Sequence, residues 1–369
     1  MVKDEKNRLL SSESLLLHWH HKLVHLSFYK IRITASKGDI PRELSRCRIP
    51  LCSTCLFGKD TKWAWQKKGP INRIHGQTVT NPGECVSIDQ LQSLIWVFVG
   101  QMKGWLTQVQ YDSATLFVDH YSGLLYVHVH NSANGEETVL AKKTYKTWCR
   151  NYGVTIRHYL SDNGRFAVNK FLQAVSESPH QTISFCGVNA HHQNGVAEKH
   201  IRDLQELSRT GVMHDQQRWY NAIISNLWQF SLKMANDVHQ SMPSLKDSIS
   251  PLEKFSQFAV RPKISSLRHF GCPVYVVENT LATGKSLPKR EDCAQVGIYL
   301  GPSSLNAWSV AIMLSLTTGL VSPQFHVVFD DHFQMVRKNV PGSLYFKLEW
   351  QRLAGFNLDA VLTSSKRHQ

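Results

Sequence analysis

The sequence lacks any apolar run long enough to cross a membrane. A transmembrane helix needs about 18 or more consecutive apolar residues, and no stretch of the 369 residues reaches that length. The opening residues, MVKDEKNR, are charged and lack the apolar core of a secretory signal peptide. We therefore expect a protein that does not associate with membranes.

Acidic residues and paired cysteines are also scarce. There are 28 Asp and Glu residues against 42 Lys and Arg, which gives a formal net charge of +14. This excess favours a nucleic-acid partner, the alternative being a soluble basic protein without one. Of eight cysteines, only Cys52 and Cys55 form a tight pair. In an intracellular chain that pattern favours a metal site over disulfides.

The segment 1–70 is predicted to form a small zinc module. LLLHWHHKLVHL has helical periodicity and carries four histidines, and a Cys-x2-Cys pair follows downstream. Two imidazoles and two thiolates are the donors that a structural Zn²⁺ ion requires. The predicted ligands of this single ion are His20, His25, Cys52 and Cys55.

Two questions about this segment stay open at the level of sequence. His21 and His25 are spaced i, i+4 and share one helical face, so His21 is the alternative to His20. The stretch 59–73 is basic and contains Trp63 and Trp65. It fits either contact with phosphates and bases or a linker whose tryptophans pack down.

Three acids in the middle of the chain predict a second kind of metal site. Asp89 ends the apolar run CVSID, Asp162 follows the apolar run Thr155–Leu160, and Glu198 opens a predicted helix. Mg²⁺ takes oxygen ligands and needs one or two carboxylates per ion. Two such ions about 3.5–4 Å apart serve phosphoryl transfer. Taken alone, Asp162 is typical of a residue in a turn, and Glu198 is typical of an acid in the first turn of a helix. The three acids together predict a site for two Mg²⁺ or Mn²⁺ ions.

Polar residues near Glu198 are predicted to contact nucleic acid. They are Gln193, Asn194, Lys199 and Arg202. Arg202 lies on the same helical stripe as Glu198 and places a cation beside the carboxylate. The alternative is ordinary i, i+4 helix support worth about 0.2–0.5 kcal/mol. Asp119, which precedes a predicted tight turn, is interpreted as a structural acid and left out of the metal site.

Two motifs carry a resemblance to a known family. They are SDNG at 161–164 followed by Phe166, and HHQNGVAEKHIRDLQ at 191–205. With these motifs the chain resembles, over nearly its whole length, the integrase region of copia-type LTR-retrotransposon polyproteins, within the retroviral-type integrase superfamily. The resemblance implies that Asp89, Asp162 and Glu198 are catalytic, and its histidine pattern favours His20 over His21.

The order of predicted elements, together with the resemblance, gives an α/β fold. Three antiparallel strands, a helix, a strand, a helix, a strand and further helices are the order of an RNase H-like core. A small SH3-like β-barrel is expected after it. The predicted division is a zinc module at 1–70, the core at 78–240, a linker at 241–262, the β module at 263–340 and a tail at 341–369.

The function implied by the resemblance is DNA integration. The chain would be a metal-dependent polynucleotidyl transferase that joins the 3′ ends of element cDNA to target DNA. Its expected partners are DNA and further copies of itself. Its expected location is the nucleus during integration, after a stage in a cytoplasmic virus-like particle. The alternatives are a nucleic-acid-binding remnant without turnover and, less favoured, a cut-and-paste transposase.

Overall fold

The computed structural model describes most of the chain. The described residues are 11–59, 79–97, 111–162, 165–186, 194–218, 225–245, 247–258, 264, 267–289, 291–303, 309–334 and 336. The predictions made for Trp63, Trp65 and Gln193 and for the tail lie outside these residues.

The N-terminal part is helical. Its helices are α1 (Ser12–Lys22), α2 (Phe28–Lys37) and α3 (Ser53–Gly58), with a 3₁₀ turn at Arg42–Ser45. Ser11 caps α1 by accepting a hydrogen bond from the Ser14 amide. Gly38 ends α2 with a φ of 88°, a left-handed conformation that glycine adopts without strain. These local signals give three short helices, whose buried apolar side chains belong to a cluster shared with the rest of the chain.

The central part is a five-stranded sheet with helices on both faces. Its elements are β1 (Val86–Val97), β2 (Tyr111–Asp119), β3 (Leu125–His130), α4 (Gly135–Arg150), β4 (His158–Ser161), α5 (Asn169–Ser176), β5 (Thr182–Phe185), α6 (Gly195–Arg218) and α7 (Trp228–Ser241). The strand order is β3-β2-β1-β4-β5. The first three strands are antiparallel, and β4 and β5 run parallel to β1. This mixed α/β architecture has the element order predicted for an RNase H-like core.

Strand β1 is longer than its predicted end at Asp89. It continues to Val97 because it pairs antiparallel with β2, with an irregular register between Gln92 and Val97. The residues after Asp89 therefore extend the sheet. Residues 98–110 lie outside the described part.

The C-terminal part is a second, antiparallel sheet. Its elements are α8 (Pro251–Ser256), β6 (Pro273–Val277), α9 (Asn279–Ala282), β7 (Ala294–Pro302), β8 (Ala311–Ser315), β9 (Val321–Gln324) and β10 (Val327–Phe329). The strand order is β10-β6-β7-β8-β9. Only two residues separate β9 from β10, yet these strands form opposite edges. Three peptide steps reach at most about 11 Å, whereas five flat strands span about 19 Å, so the sheet curls. Its closure into an SH3-like barrel stays a prediction.

The three parts share one apolar core. Leu16 of α1, Leu116 of β2 and Leu314 of β8 are fully buried members of a single cluster. A second cluster fills the other face of the central sheet, where Phe117 stacks on Tyr145 of α4. Because the first cluster is continuous, the helical N-terminal part and the C-terminal sheet are packed onto the central domain.

The segment 241–262, predicted as a linker, contains a packed helix. Ser250 and Glu253 form a capping box at the start of α8. Phe255 of this helix is fully buried, and its ring lies 5.7 Å from that of Trp148. The proline pattern was typical of a linker, but one buried aromatic residue is enough to anchor the segment to the core. No helix among the described residues is both long and apolar enough to span a membrane.

Candidate metal centres

The parallel pairing of β1 and β4 brings two of the predicted catalytic acids into the same region. In that pairing Ser87 lies opposite Leu160. Asp89 lies two residues beyond Ser87 on β1, and Asp162 directly follows Ser161, the last residue of β4. The two acids therefore lie near the same end of this strand pair although they are far apart in sequence.

The third acid arrives with helix α6, whose first turn holds Glu198. Asn194, immediately before the helix, donates a hydrogen bond from Nδ2 to the Ile88 carbonyl oxygen at 3.3 Å. Ala197 is fully buried against the core. These contacts fix the start of α6 beside the residue preceding Asp89. Glu198 itself is exposed, so its carboxylate is accessible to an ion and to a substrate.

The electrostatics of Asp89 report the proximity of the other two acids. Burial, together with the negative charges of Asp162 and Glu198, raises the pKa of the Asp89 carboxyl to about 6 against an opposing hydrogen bond from the Gln90 amide. Burial also raises the pKa of the Cys186 thiol, with additional contributions from all three acids. Cys186 follows β5, and its amide donates to the Ser161 carbonyl oxygen at 2.8 Å. The three charges therefore act on one another across a small region.

The carboxylate set fits Mg²⁺ by the chemistry of its donors. All three are hard oxygen ligands, and two ions can be held by a few carboxylates and waters. Among the described residues, the groups whose ligand atoms all lie within 4.8 Å of one another are histidine and cysteine groups, not this one. Like charges repel, and a bound divalent cation would offset that repulsion.

The raised pKa of Asp89 predicts that asparagine at this position stabilises the metal-free protein. At pH 7 the folded protein bears the cost of an ionised, buried carboxylate, a cost that is absent when Asp89 is protonated. Its ordinary pKa is 3.8 and its folded pKa about 6, so this cost develops as the pH rises between those values. Asp89→Asn should gain about 1–3 kcal/mol at pH 7.

Urea unfolding without added Mg²⁺ measures this effect. The gain in the free energy of unfolding should shrink toward zero near pH 4, where aspartate is protonated in the folded state. An equal gain at pH 4 and pH 7 would assign it to packing instead of charge.

The residues predicted to contact nucleic acid differ in their exposure to solvent. Lys199 and Arg202 are exposed on α6, close to Glu198. Asn194 is 2% exposed and bonded to the backbone of β1, so it positions α6 and is not placed to contact a nucleic acid. Asp119 is fully buried and accepts hydrogen bonds from Gly83 and Ser122, in accord with a structural role.

A second donor set lies in the N-terminal part. Its four ligand atoms lie within 4.8 Å of one another, and the four residues are His20, His25, Cys52 and Cys55. His20 Nε2 lies 3.2 Å from Cys55 Sγ. His25 Nδ1 lies 3.4 Å from Cys52 Sγ and 3.5 Å from Cys55 Sγ. A tetrahedral Zn²⁺ ion, with bonds of about 2.0 Å to nitrogen and about 2.3 Å to sulfur, sets these atoms about 3.5 Å apart. The set fits zinc.

Hydrogen bonding orients His20 toward the thiols. Its Nδ1 lies 2.7 Å from the Leu26 carbonyl oxygen, which can only accept, so Nδ1 carries the proton and Nε2 is left for a metal. Burial lowers the pKa of His20 below its ordinary value and that of His25 to about 4. Both rings are therefore neutral at pH 7, as metal ligation requires. His21 lies outside this set, with Nε2 3.7 Å from Cys52 Sγ.

The turn that presents His25 is strained. Val24 and His25 have φ values of 50° and 56°, and left-handed backbone is unfavourable for a β-branched residue. The His25 amide donates to the His20 carbonyl oxygen at 2.8 Å, which closes the turn. The Val24 side chain is buried. Such strain persists where the surroundings enforce it and is common at ligand sites.

Sequence reasoning missed two residues near these centres. Cys186 follows β5 as Asp162 follows β4, so its position at a strand end was a usable signal. His214, on α6, forms a group with His21 and His25 whose ligand atoms also lie within 4.8 Å of one another. No local pattern connects His214 to the N-terminal histidines, because the contact depends on how α6 packs.

Comparison with known proteins gives matches to solved structures alone. No protein-family model matches the sequence, and no curated protein is significantly similar to it. A structure of the HTLV-2 integrase catalytic core with magnesium is 14% identical, with a TM-score of 0.33, covering 47% of this chain and 97% of that chain.

Two further solved structures are similar at the same level. The BIV integrase catalytic core is 15% identical, with a TM-score of 0.33, covering 47% of this chain and 95% of that chain. A simian T-cell lymphotropic virus intasome with a PP2A regulatory subunit is 13% identical, with a TM-score of 0.38, covering 67% of this chain and 78% of that chain. At these values the fold assignment rests on the strand order and directions described above.

Proposed function

We propose that the chain is a metal-dependent polynucleotidyl transferase that integrates the cDNA of a copia-type retrotransposon. The observation that supports the proposal is the electrostatic effect of Asp162 and Glu198 on Asp89, together with the parallel pairing of β1 and β4 and the position of Glu198 in the first turn of α6. The sequence motifs around Asp162 and Glu198 and the net charge of +14 support it.

In the proposed reaction, the 3′-hydroxyl oxygen of the element attacks a phosphorus atom of target DNA. A new phosphorus–oxygen bond forms, the bond to the target 3′ oxygen breaks, the attacking hydroxyl loses its proton to solvent, and the leaving 3′ oxygen takes up a proton from solvent. Asp89, Asp162 and Glu198 would hold two Mg²⁺ or Mn²⁺ ions, which supply charge stabilisation for the attacking and leaving oxygens. No side chain forms a covalent bond to DNA.

The residues of the chain contribute position and charge to this reaction. Asn194 holds the start of α6 against β1, which fixes where Glu198 can reach. Lys199 and Arg202 are exposed beside Glu198 and would contact the phosphate backbone. One structural Zn²⁺ ion in the His20, His25, Cys52 and Cys55 set would supply folding energy to the short N-terminal helices.

Partners and location follow from the same proposal. The chain would bind element ends and target DNA, act as a homo-oligomer because two ends must be joined, and work in the nucleus after assembly in a cytoplasmic particle. The second candidate is a nucleic-acid-binding protein without turnover. The exposed cations on α6 alone would be sufficient for that function.

One experiment separates the two candidates. Purified protein is incubated with a blunt-ended donor duplex and a supercoiled plasmid, with Mg²⁺ and with Mn²⁺ in its place. Integration predicts covalent donor–plasmid product with Mg²⁺. Retention of the duplex without any joined product, in Mg²⁺ and in Mn²⁺, would favour the binding protein and overturn the proposed activity.

A further inference from the structure

Three histidines form a cluster where the N-terminal helices meet α6. His21 lies in α1, His25 follows that helix and His214 lies in α6, and their ligand nitrogens are all within 4.8 Å of one another. The rings of His21 and His214 are 4.2 Å apart, and those of His25 and His214 are 5.0 Å apart. His25 and His214 are buried. Three imidazoles thus converge from two distant parts of the chain.

One buried nitrogen atom of this cluster has no hydrogen-bond partner. His25 offers Nδ1 to Cys52 and Cys55. Its other nitrogen, Nε2, is buried and has no hydrogen-bond partner. Buried polar atoms in folded proteins are nearly always paired. The nitrogen of His25 that the thiol-containing set does not use is therefore the atom left for a second ion.

The packing around the cluster fixes His214 in place. Arg209 donates from Nε to the Gly58 carbonyl oxygen at 2.9 Å, which ties α6 to α3. A Cβ on Gly211 would lie 2.9 Å from Val24 Cγ1, so α6 and the turn before His25 meet in close contact. Because these contacts lie within the two turns of α6 that precede His214, the fold sets the position of this part of the helix relative to His21 and His25.

We propose that His21, His25 and His214 bind a second divalent ion of the zinc, copper, nickel or cobalt class, beside the ion of the four-residue set. Imidazole nitrogen suits ions of this class. His25 belongs to both sets and bridges them as an imidazolate. Its remaining N–H bond breaks when the second ion binds, the proton leaves to solvent, and no electron is transferred. The second ion links the N-terminal helices to the helix that begins near Glu198.

Metal content of the full chain, freed of any affinity tag, tests this site. After reconstitution with Zn²⁺ in an excess of Mg²⁺, which occupies the carboxylate set, and removal of free metal, the wild type should hold two zinc ions per chain. His214→Gln should hold one, and so should His21→Gln. The matched control is His326→Gln, at an exposed histidine in the β9–β10 connection, which should keep two.

A titration of the wild-type chain with Co²⁺ does not depend on the folding of any variant. Thiolate-to-cobalt charge-transfer absorption should rise with the first equivalent and stay constant with the second, while ligand-field absorption continues to rise to two equivalents. Saturation of both signals at one equivalent, or a zinc content that His214→Gln leaves unchanged, would overturn the second site. Neither result bears on DNA joining.

Discussion

Replacement of Asp162 with asparagine is expected to lower Mg²⁺-dependent DNA joining by about 100-fold or more. Asp162 directly follows β4 and lies close enough to Asp89 to raise the pKa of the Asp89 carboxyl, and asparagine keeps the shape of Asp162 while removing its charge. Even the hydrogen-bond partners of metal ligands are typically worth about 10–100-fold, so loss of a ligand should cost at least as much. The rate of donor–plasmid product formation measures the effect.

The control for this prediction is Asp292→Asn, the same chemical change at an exposed residue in the C-terminal sheet region. It should join DNA at the wild-type rate. Asp162→Asn should retain duplex binding and a thermal unfolding midpoint close to that of the wild type. If it joined DNA within a few-fold of the wild-type rate, Asp162 would have no place in the catalytic set.

Replacement of Cys55 with serine should unfold much of the N-terminal part. Cys55 Sγ lies near both His20 and His25. Serine at this position removes one of the two thiolate donors of the four-residue zinc set. Structural zinc supplies about 10–16 kcal/mol of binding energy to small modules, and α1–α3 are too short to be stable alone. We expect at least a 100-fold loss of zinc affinity and an early unfolding transition.

The matched control is Cys293→Ser, at an exposed thiol outside both histidine-containing sets. It should bind zinc and unfold as the wild type does. Competition with a zinc chelator gives the affinity, and circular dichroism gives the unfolding. Wild-type zinc affinity in Cys55→Ser would show that the four-residue set is not the zinc site.

The parts of the fold that sequence predicted well are set by local signals. Helix α5 (Asn169–Ser176) and strand β5 (Thr182–Phe185) follow the order of elements predicted for the core. Their hydrophobic periodicity changes from that of a helix to that of a strand, and polar residues separate them. The approach of Asp89 to Asp162 was also predictable, because each acid ends an apolar run and strand ends meet at one sheet edge.

What the sequence could not supply depends on contacts between distant segments. The extension of β1 to Val97 follows from its pairing with β2, and the place of Asn194 follows from a bond to Ile88. His214 meets His21 only because α6 packs on α3 and the preceding turn. Each of these features depends on which distant segments pack together. The hydrophobic periodicity of a single sequence does not determine that packing.

We propose that Asp89, Asp162 and Glu198 share bound divalent ions. A crystal of the full chain soaked in Mn²⁺ would show whether they do. Anomalous difference maps locate manganese without reference to the protein coordinates. We expect manganese density in contact with all three carboxylates, and its loss in crystals of Glu198→Gln. Carboxylates that point apart with no manganese between them, or density unchanged in that variant, would show that the three acids do not form a shared metal site.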